Sequence, residues 1–224
     1  MEHTSVYQNG SVQRQWERNL ANGISYNIYL DNHHNLVSFY ALPHDTTLSV
    51  MTSSLIGNIF SVITEGSSAA YDSQWIGSLT EFYPEKGYWI SIKSPLDTLS
   101  GLGVDYNPNR VYNLHPGPNL ISFPDTGSVD IETAIHDSVK NHFSVVISEG
   151  VCAINTDEFG WIGTLNQLYP GGAYWVISGQ GPGLAWKQGV NRRGIARPYR
   201  AGGWYRSESG RNLYVLPALC GTGR

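Results

Sequence analysis

Five short blocks occur twice in this chain, in the same order. NLVSF at 35–39 matches NLISF at 119–123, SVITEG at 61–66 matches VVISEG at 145–150, and WIGSL at 75–79 matches WIGTL at 161–165. FYP at 82–84 matches LYP at 168–170, and GYWISI at 87–92 matches AYWVIS at 173–178. The offset is 84 through the glutamate–glycine pair and 86 after it, so the second copy gains two residues at or near Asp157-Glu158. Ordered matches of this kind mark an internal duplication. The duplication is a strong constraint, because whatever one copy folds into the other must fold into as well. A unit of roughly 60 residues also buries too little apolar area to stand securely alone, so the copies are expected to pack together.

Each copy reads as about four short strands and one helix. NLVSF and NLISF look like strands with a polar start, and SVIT and VVIS are β-branched runs expected in buried strands. The glutamate–glycine that follows reads as a turn, with the Glu65 and Glu149 side chains accepting from turn amides beside Gly66 and Gly150. WIGSL, a Tyr-Pro turn and YWISI complete the unit. Between the first two blocks the spacing of Leu48, Met51, Leu55 and Ile59 predicts a helix with Asp45 as its N-cap. Ile131, Ile135 and Val139 predict its counterpart, capped by Ser128 with Asp130 and Glu132 in the first turn. The expected fold class is therefore α+β, two tandem copies of a short-stranded β unit with one helix each.

Composition supports a turn-rich globular protein. Charged residues make up 14% and aromatics 12%, with 25 glycines and 14 tyrosines, which excludes a disordered tail or a coiled coil. No apolar run approaches the roughly 20 residues of a membrane span. The start, MEHTSVYQNGSVQRQW, lacks the basic and apolar regions of an export signal, so the chain is expected to use another route or to be a fragment or mature form. The two cysteines, Cys152 and Cys220, form no recognisable disulfide framework and read as free thiols, Cys152 as a small buried hydrophobe. The charge is uneven: residues 187–224 hold eight basic and one acidic side chain, while the rest hold six basic and seventeen acidic.

Catalytic signatures are missing: there is no HExxH, no G-x-S-x-G, no P-loop, no dinucleotide fingerprint and no EF-hand loop. His33 and His34 are adjacent and would point to opposite faces of a strand, so no metal site and no cofactor are expected. The repeated aromatics are the clearest candidates for a site. Trp75, Tyr88, Trp161 and Tyr174 recur in matched pairs, and an exposed tryptophan or tyrosine face suits the C–H side of a sugar ring. Packing inside the repeat is the competing role for such rings. In the tail, Arg192, Arg193 and Arg197 with Trp204 could dock on an acidic protein surface by charge and apolar anchorage, while nucleic acid is not expected because no nucleic-acid fold motif accompanies them.

The blocks NLVSFYALP, SVITEG, WIGSL and GYWISI resemble a repeat in virion structural and tail-associated proteins of marine phages, found also in large secreted or surface proteins of marine bacteria. The resemblance covers about residues 35–92 and 119–178. It implies a non-enzymatic structural or adhesion module of a virion or extracellular assembly, at the virion or cell surface. Partners implied are other structural subunits, a second copy of the chain among them; the alternative is a carbohydrate-binding module on a surface glycan. The organisation expected is an N-terminal segment at 1–34, copy one at 35–96, a connecting segment at 97–118, copy two at 119–184 and an Arg/aromatic-rich tail at 185–224.

Overall fold

The computed structural model describes residues 23–31, 34–105 and 109–187. Strands hold 52% of it and helices 9%, spread over five sheets. The fold is therefore mostly β, and the α+β expectation is wrong. The helices shrink to single turns. In copy one, α1 is Leu48–Met51, a 3-10 turn follows at Ser53–Leu55, and Ile59 already opens a strand. In copy two, α2 is Ile131–Ala134 and α3 is Asp137–Lys140, separated by an extended Ile135. The apolar spacing is real and buries Leu48, Met51 and Leu55, but four-residue turns never pass the cost of helix nucleation. The local sequence also works against a longer helix. The Thr52 hydroxyl bonds back to the Leu48 carbonyl at 2.6 Å, Ser53 and Ser54 follow, and Gly57 ends the run. Neither Asp45 nor Ser128 caps: the cap positions are Thr47 and Asp130, without side-chain cap bonds, and α3 is capped by His136.

The unit built around copy one contains β1 (Ile24–Leu30), β2 (His34–Val37), β3 (Ala41–Leu42), β4 (Ile59–Thr64), β5 (Ser67–Asp72), β6 (Gln74–Gly77), β7 (Tyr88–Ile92) and β8 (Asp97–Asp105), of which β1 and β8 lie outside residues 35–96. Its main sheet runs β2-β7-β4-β5-β6, and a smaller sheet runs β1-β8-β3. The unit built around copy two contains β9 (Tyr112–Asn113, from the connecting segment), β10 (Gly117–Ser122), β11 (Val129–Asp130), β12 (Phe143–Ser148), β13 (Val151–Thr156), β14 (Gly160–Gly163), β15 (Gln167–Leu168), β16 (Ala173–Ser178) and β17 (Gly183–Leu184). Its main sheet runs β10-β16-β12-β13-β14, with two-stranded ribbons β9–β17 and β11–β15. All ladders are antiparallel, and the registers correspond. Leu36 pairs with Trp89 as Leu120 pairs with Trp175, and a bulge falls between Ile59 and Ser61 as between Phe143 and Val145. The two extra residues of copy two sit in the β13–β14 turn.

Alternation sorts each strand. Val37, Tyr88, Ile90 and Val62 face the core of copy one, and Ile121, Tyr174, Val176 and Val146 face that of copy two. Segments expected to flank the repeat complete these cores. Tyr26, Ile28 and Leu30 come from the 1–34 segment and Leu99 from the connecting segment. Tyr112 and Leu114 join the second core from the connector, and Trp186, placed in the expected tail, is 3% exposed within it. The Trp186 indole N–H donates to the Ser122 carbonyl at 3.0 Å.

Candidate functional site

The residues that recur most faithfully meet where the copies touch. Val37 bridges to Gly172 and Ile121 bridges to Lys86, so the edge strand of each main sheet pairs with the turn that leads into the other copy's last strand. The Ser38 amide donates to the Gly171 carbonyl at 2.7 Å, and the Ser122 amide to the Glu85 carbonyl at 3.1 Å. The serine hydroxyls cross as well, Ser38 to the Gly172 carbonyl and Ser122 to the Pro84 carbonyl. Leu36, Leu120 and Ala173 are buried at the centre of this seam, with Trp89 and Trp175 half-buried against them. Pairing about a pseudo-two-fold axis thus covers apolar surface that neither unit could cover alone.

Glu65 and Glu149 do not serve their own turns. Gly66 and Gly150 take positive φ, which closes each hairpin tightly, and the glutamate beside each reaches the other copy. Glu65 accepts the Leu120 amide at 3.0 Å, and Glu149 accepts the Leu36 amide at 3.1 Å. Their surroundings differ. Glu65 also contacts the His115 imidazole, which is exposed and titrates above its ordinary value because of its bond to the Pro116 carbonyl and its contact with Glu65. The position matching His115 in copy one is Asp31, a second acid. Burial, reinforced by repulsion from Asp31, holds the Glu149 carboxyl above its usual range.

Two further polar devices repeat. Asn35 closes a loop by exchanging bonds with the Asp31 backbone, and Asn119 does the same with His115. The Tyr88 hydroxyl accepts the Tyr83 amide, and the Tyr174 hydroxyl accepts the Tyr169 amide at 2.8 Å, which pins each Tyr-Pro turn to the following strand.

These bonds decide what the predicted aromatic residues can present. Tyr88 and Tyr174 are 0% and 1% exposed, so neither ring offers a face to a sugar. Trp161 is buried, while its counterpart Trp75 is half-buried and packs edge-on against Tyr71. The indole N–H groups of Trp75 and Trp161 have no protein partner among the described residues. Arg192, Arg193, Arg197 and Trp204 lie outside the described residues. Among the described residues no group of three or more His, Cys, Asp or Glu side chains could hold a metal ion, and His34 bonds instead to the Ser91 hydroxyl. No helix there is long and apolar enough to cross a membrane. Cys152 is neither a free thiol nor a buried hydrophobe: it is half-buried on an outward position of β13 and is disulfide-bonded.

No protein-family model matches the chain, and no curated protein or solved structure is detectably similar to it.

The crossing glutamates were missed from the sequence because a local partner, the turn amide, was at hand. The buried serines and asparagines of the NLVSF and NLISF blocks carried a signal: polar residues at matched positions within strands that read as buried need fixed partners.

Proposed function

We propose that this chain is a non-enzymatic structural or adhesion module that joins a virion or extracellular assembly by packing against other subunits, a second copy of itself among them. The observation that carries this reading is the uncovered side of the first main sheet. Phe60 and Ile63 of β4 are 53% and 45% exposed, and Ile76 of β6, on the far side of β5, is 59% exposed. Several large apolar side chains left exposed on one sheet of a folded protein mark a place where another surface docks. The seam supports the same reading, since two copies joined by reciprocal backbone and side-chain bonds form a stiff block. The disulfide at Cys152 suits an oxidising, extracellular setting. Sedimentation velocity over a wide concentration range tests the proposal. The wild type should self-associate as concentration rises, and Phe60→Ser with Ile76→Ser should hold the protein monomeric. A wild type that stays monomeric throughout would overturn it.

A further inference from the structure

The two main sheets differ most on their outer faces. In copy one, a row across the sheet reads His34, Ser91, Ser61, Ala70 and Ile76. The same row in copy two reads Pro118, Ile177, Val145, Ile154 and Ile162. Three of the five positions have changed from Ser, Ser and Ala to the larger apolar Ile177, Val145 and Ile154, while inward neighbours such as Val62 and Val146, or Ala69 and Ala153, are unchanged. Inward changes such as Val37 to Ile121 or Ile90 to Val176 exchange one apolar side chain for another, whereas these outward changes replace Ser, Ser and Ala by Ile, Val and Ile and so give copy two a footing for an apolar cover. The adjoining row of copy two runs Leu120, Trp175, Ile147 and Cys152, away from the seam. Its last member, disulfide-bonded, replaces Ser68 of copy one.

The chain itself can supply the cover. It holds two cysteines, and residues 213–220 read LYVLPALC, the longest apolar run of the C-terminal segment, ending on the second cysteine. The Lys187 amide is held by the Ala134 carbonyl of copy two, and 33 residues separate Lys187 from Cys220. At about 3.3 Å per extended residue that length is ample to reach any point on the sheet. We propose that Cys220 is the partner of Cys152 and that this bond lays residues 213–220 over the Ile177–Val145–Ile154 row. In forming the bond each thiol loses one hydrogen, and the two electrons pass to a disulfide-bearing oxidant, which leaves as the dithiol.

The experiment uses the purified full chain without reductant. Trypsin should yield peptide 141–187 joined to peptide 212–224, separable on reduction. Free thiols, or peptide 141–187 joined to itself across two chains, would overturn the pairing. The cover is tested by chymotrypsin cleavage after Tyr214 in wild type and in a variant carrying Val145→Ser, Ile154→Ala and Ile177→Ser. These are the residues that copy one already tolerates at the same positions, so the variant should fold. With the disulfide intact in both, cleavage should be about tenfold faster in the variant, because the tail has lost its apolar footing. Equal rates with a folded variant would overturn the cover.

Discussion

Glu149 accepts the backbone N–H of Leu36 from the other copy at 3.1 Å, and Leu36 is fully buried. Removing the carboxylate leaves that amide without its partner in an apolar setting. Glu149→Ala should therefore cost about 1–3 kcal/mol, whereas Glu149→Gln, which keeps an acceptor oxygen, should cost much less. Urea unfolding of both variants checks this. Equal losses would mean that charge, and not the bond to Leu36, holds the seam.

The seam should also respond to pH, with one sign from both copies. Burial raises the Glu149 carboxyl above its ordinary 4.5, and the bond to the Pro116 carbonyl, then Glu65, raises His115 above its ordinary 6.5. Between the ordinary and the raised value, the folded state holds more protons than the unfolded one. Stability from each group is thus fully present below its ordinary value and is lost as pH rises through the folded one. Glu149→Gln should flatten the lower part of the decline, which begins near 4.5, and His115→Asn the upper part, which begins near 6.5. Urea midpoints measured across both windows would show it. A midpoint that climbs with pH through these windows in the wild type, and does so unchanged in both variants, contradicts the assignment.

Gly87 and Ala173 occupy matched positions, and the structure explains why they differ. A Cβ on Gly87 would lie 2.6 Å from the Ala173 Cβ and 2.8 Å from Leu120 Cδ1. There is room at the centre of the seam for one methyl, not two. Gly87→Ala should destabilise by about 1–3 kcal/mol through overpacking. Adding Ala173→Gly should recover part of that loss, so the pair should couple in a double-mutant cycle. Additive costs would show that the two positions do not share the space.

Part of this architecture was legible in the residues and part was not. The β-branched blocks and their turns fall on strands in corresponding registers because alternation and turn chemistry act over a few residues. The helices failed because spacing such as Leu48, Met51 and Leu55 reports a buried face without reporting length. Thr52 and Gly57 cut the run short. Tyr88 and Tyr174 offered large aromatic faces on paper. Their burial depends on hydroxyl acceptors for the Tyr83 and Tyr169 amides, five residues away in a turn. The Glu149–Leu36 bond spans 113 positions and required the pseudo-two-fold, which no local pattern encodes. Flanking strands such as β1 were invisible to a comparison of repeats because they lie outside the matched blocks.

Trp186 shows how a repeat boundary can mislead. It lies beyond the last matched block, yet its ring packs edge-on against Phe123 and Tyr174, and Trp186 bridges to Ile135. Its N–H holds the carbonyl of Ser122, the serine whose hydroxyl crosses the seam, so loss of the ring should loosen the second core and the seam together. Trp186→Ala should cost about 3–5 kcal/mol, the range for deleting a buried aromatic side chain. A chain ending after Lys187 should keep near-UV circular dichroism of the described body, while one ending after Leu184 should lose much of it and unfold at lower urea. If the chain ending after Lys187 already loses this signal and unfolds at lower urea than the full chain, residues beyond 187 belong to the core of copy two. If the chain ending after Leu184 is as stable as the one ending after Lys187, Trp186 is not part of that core.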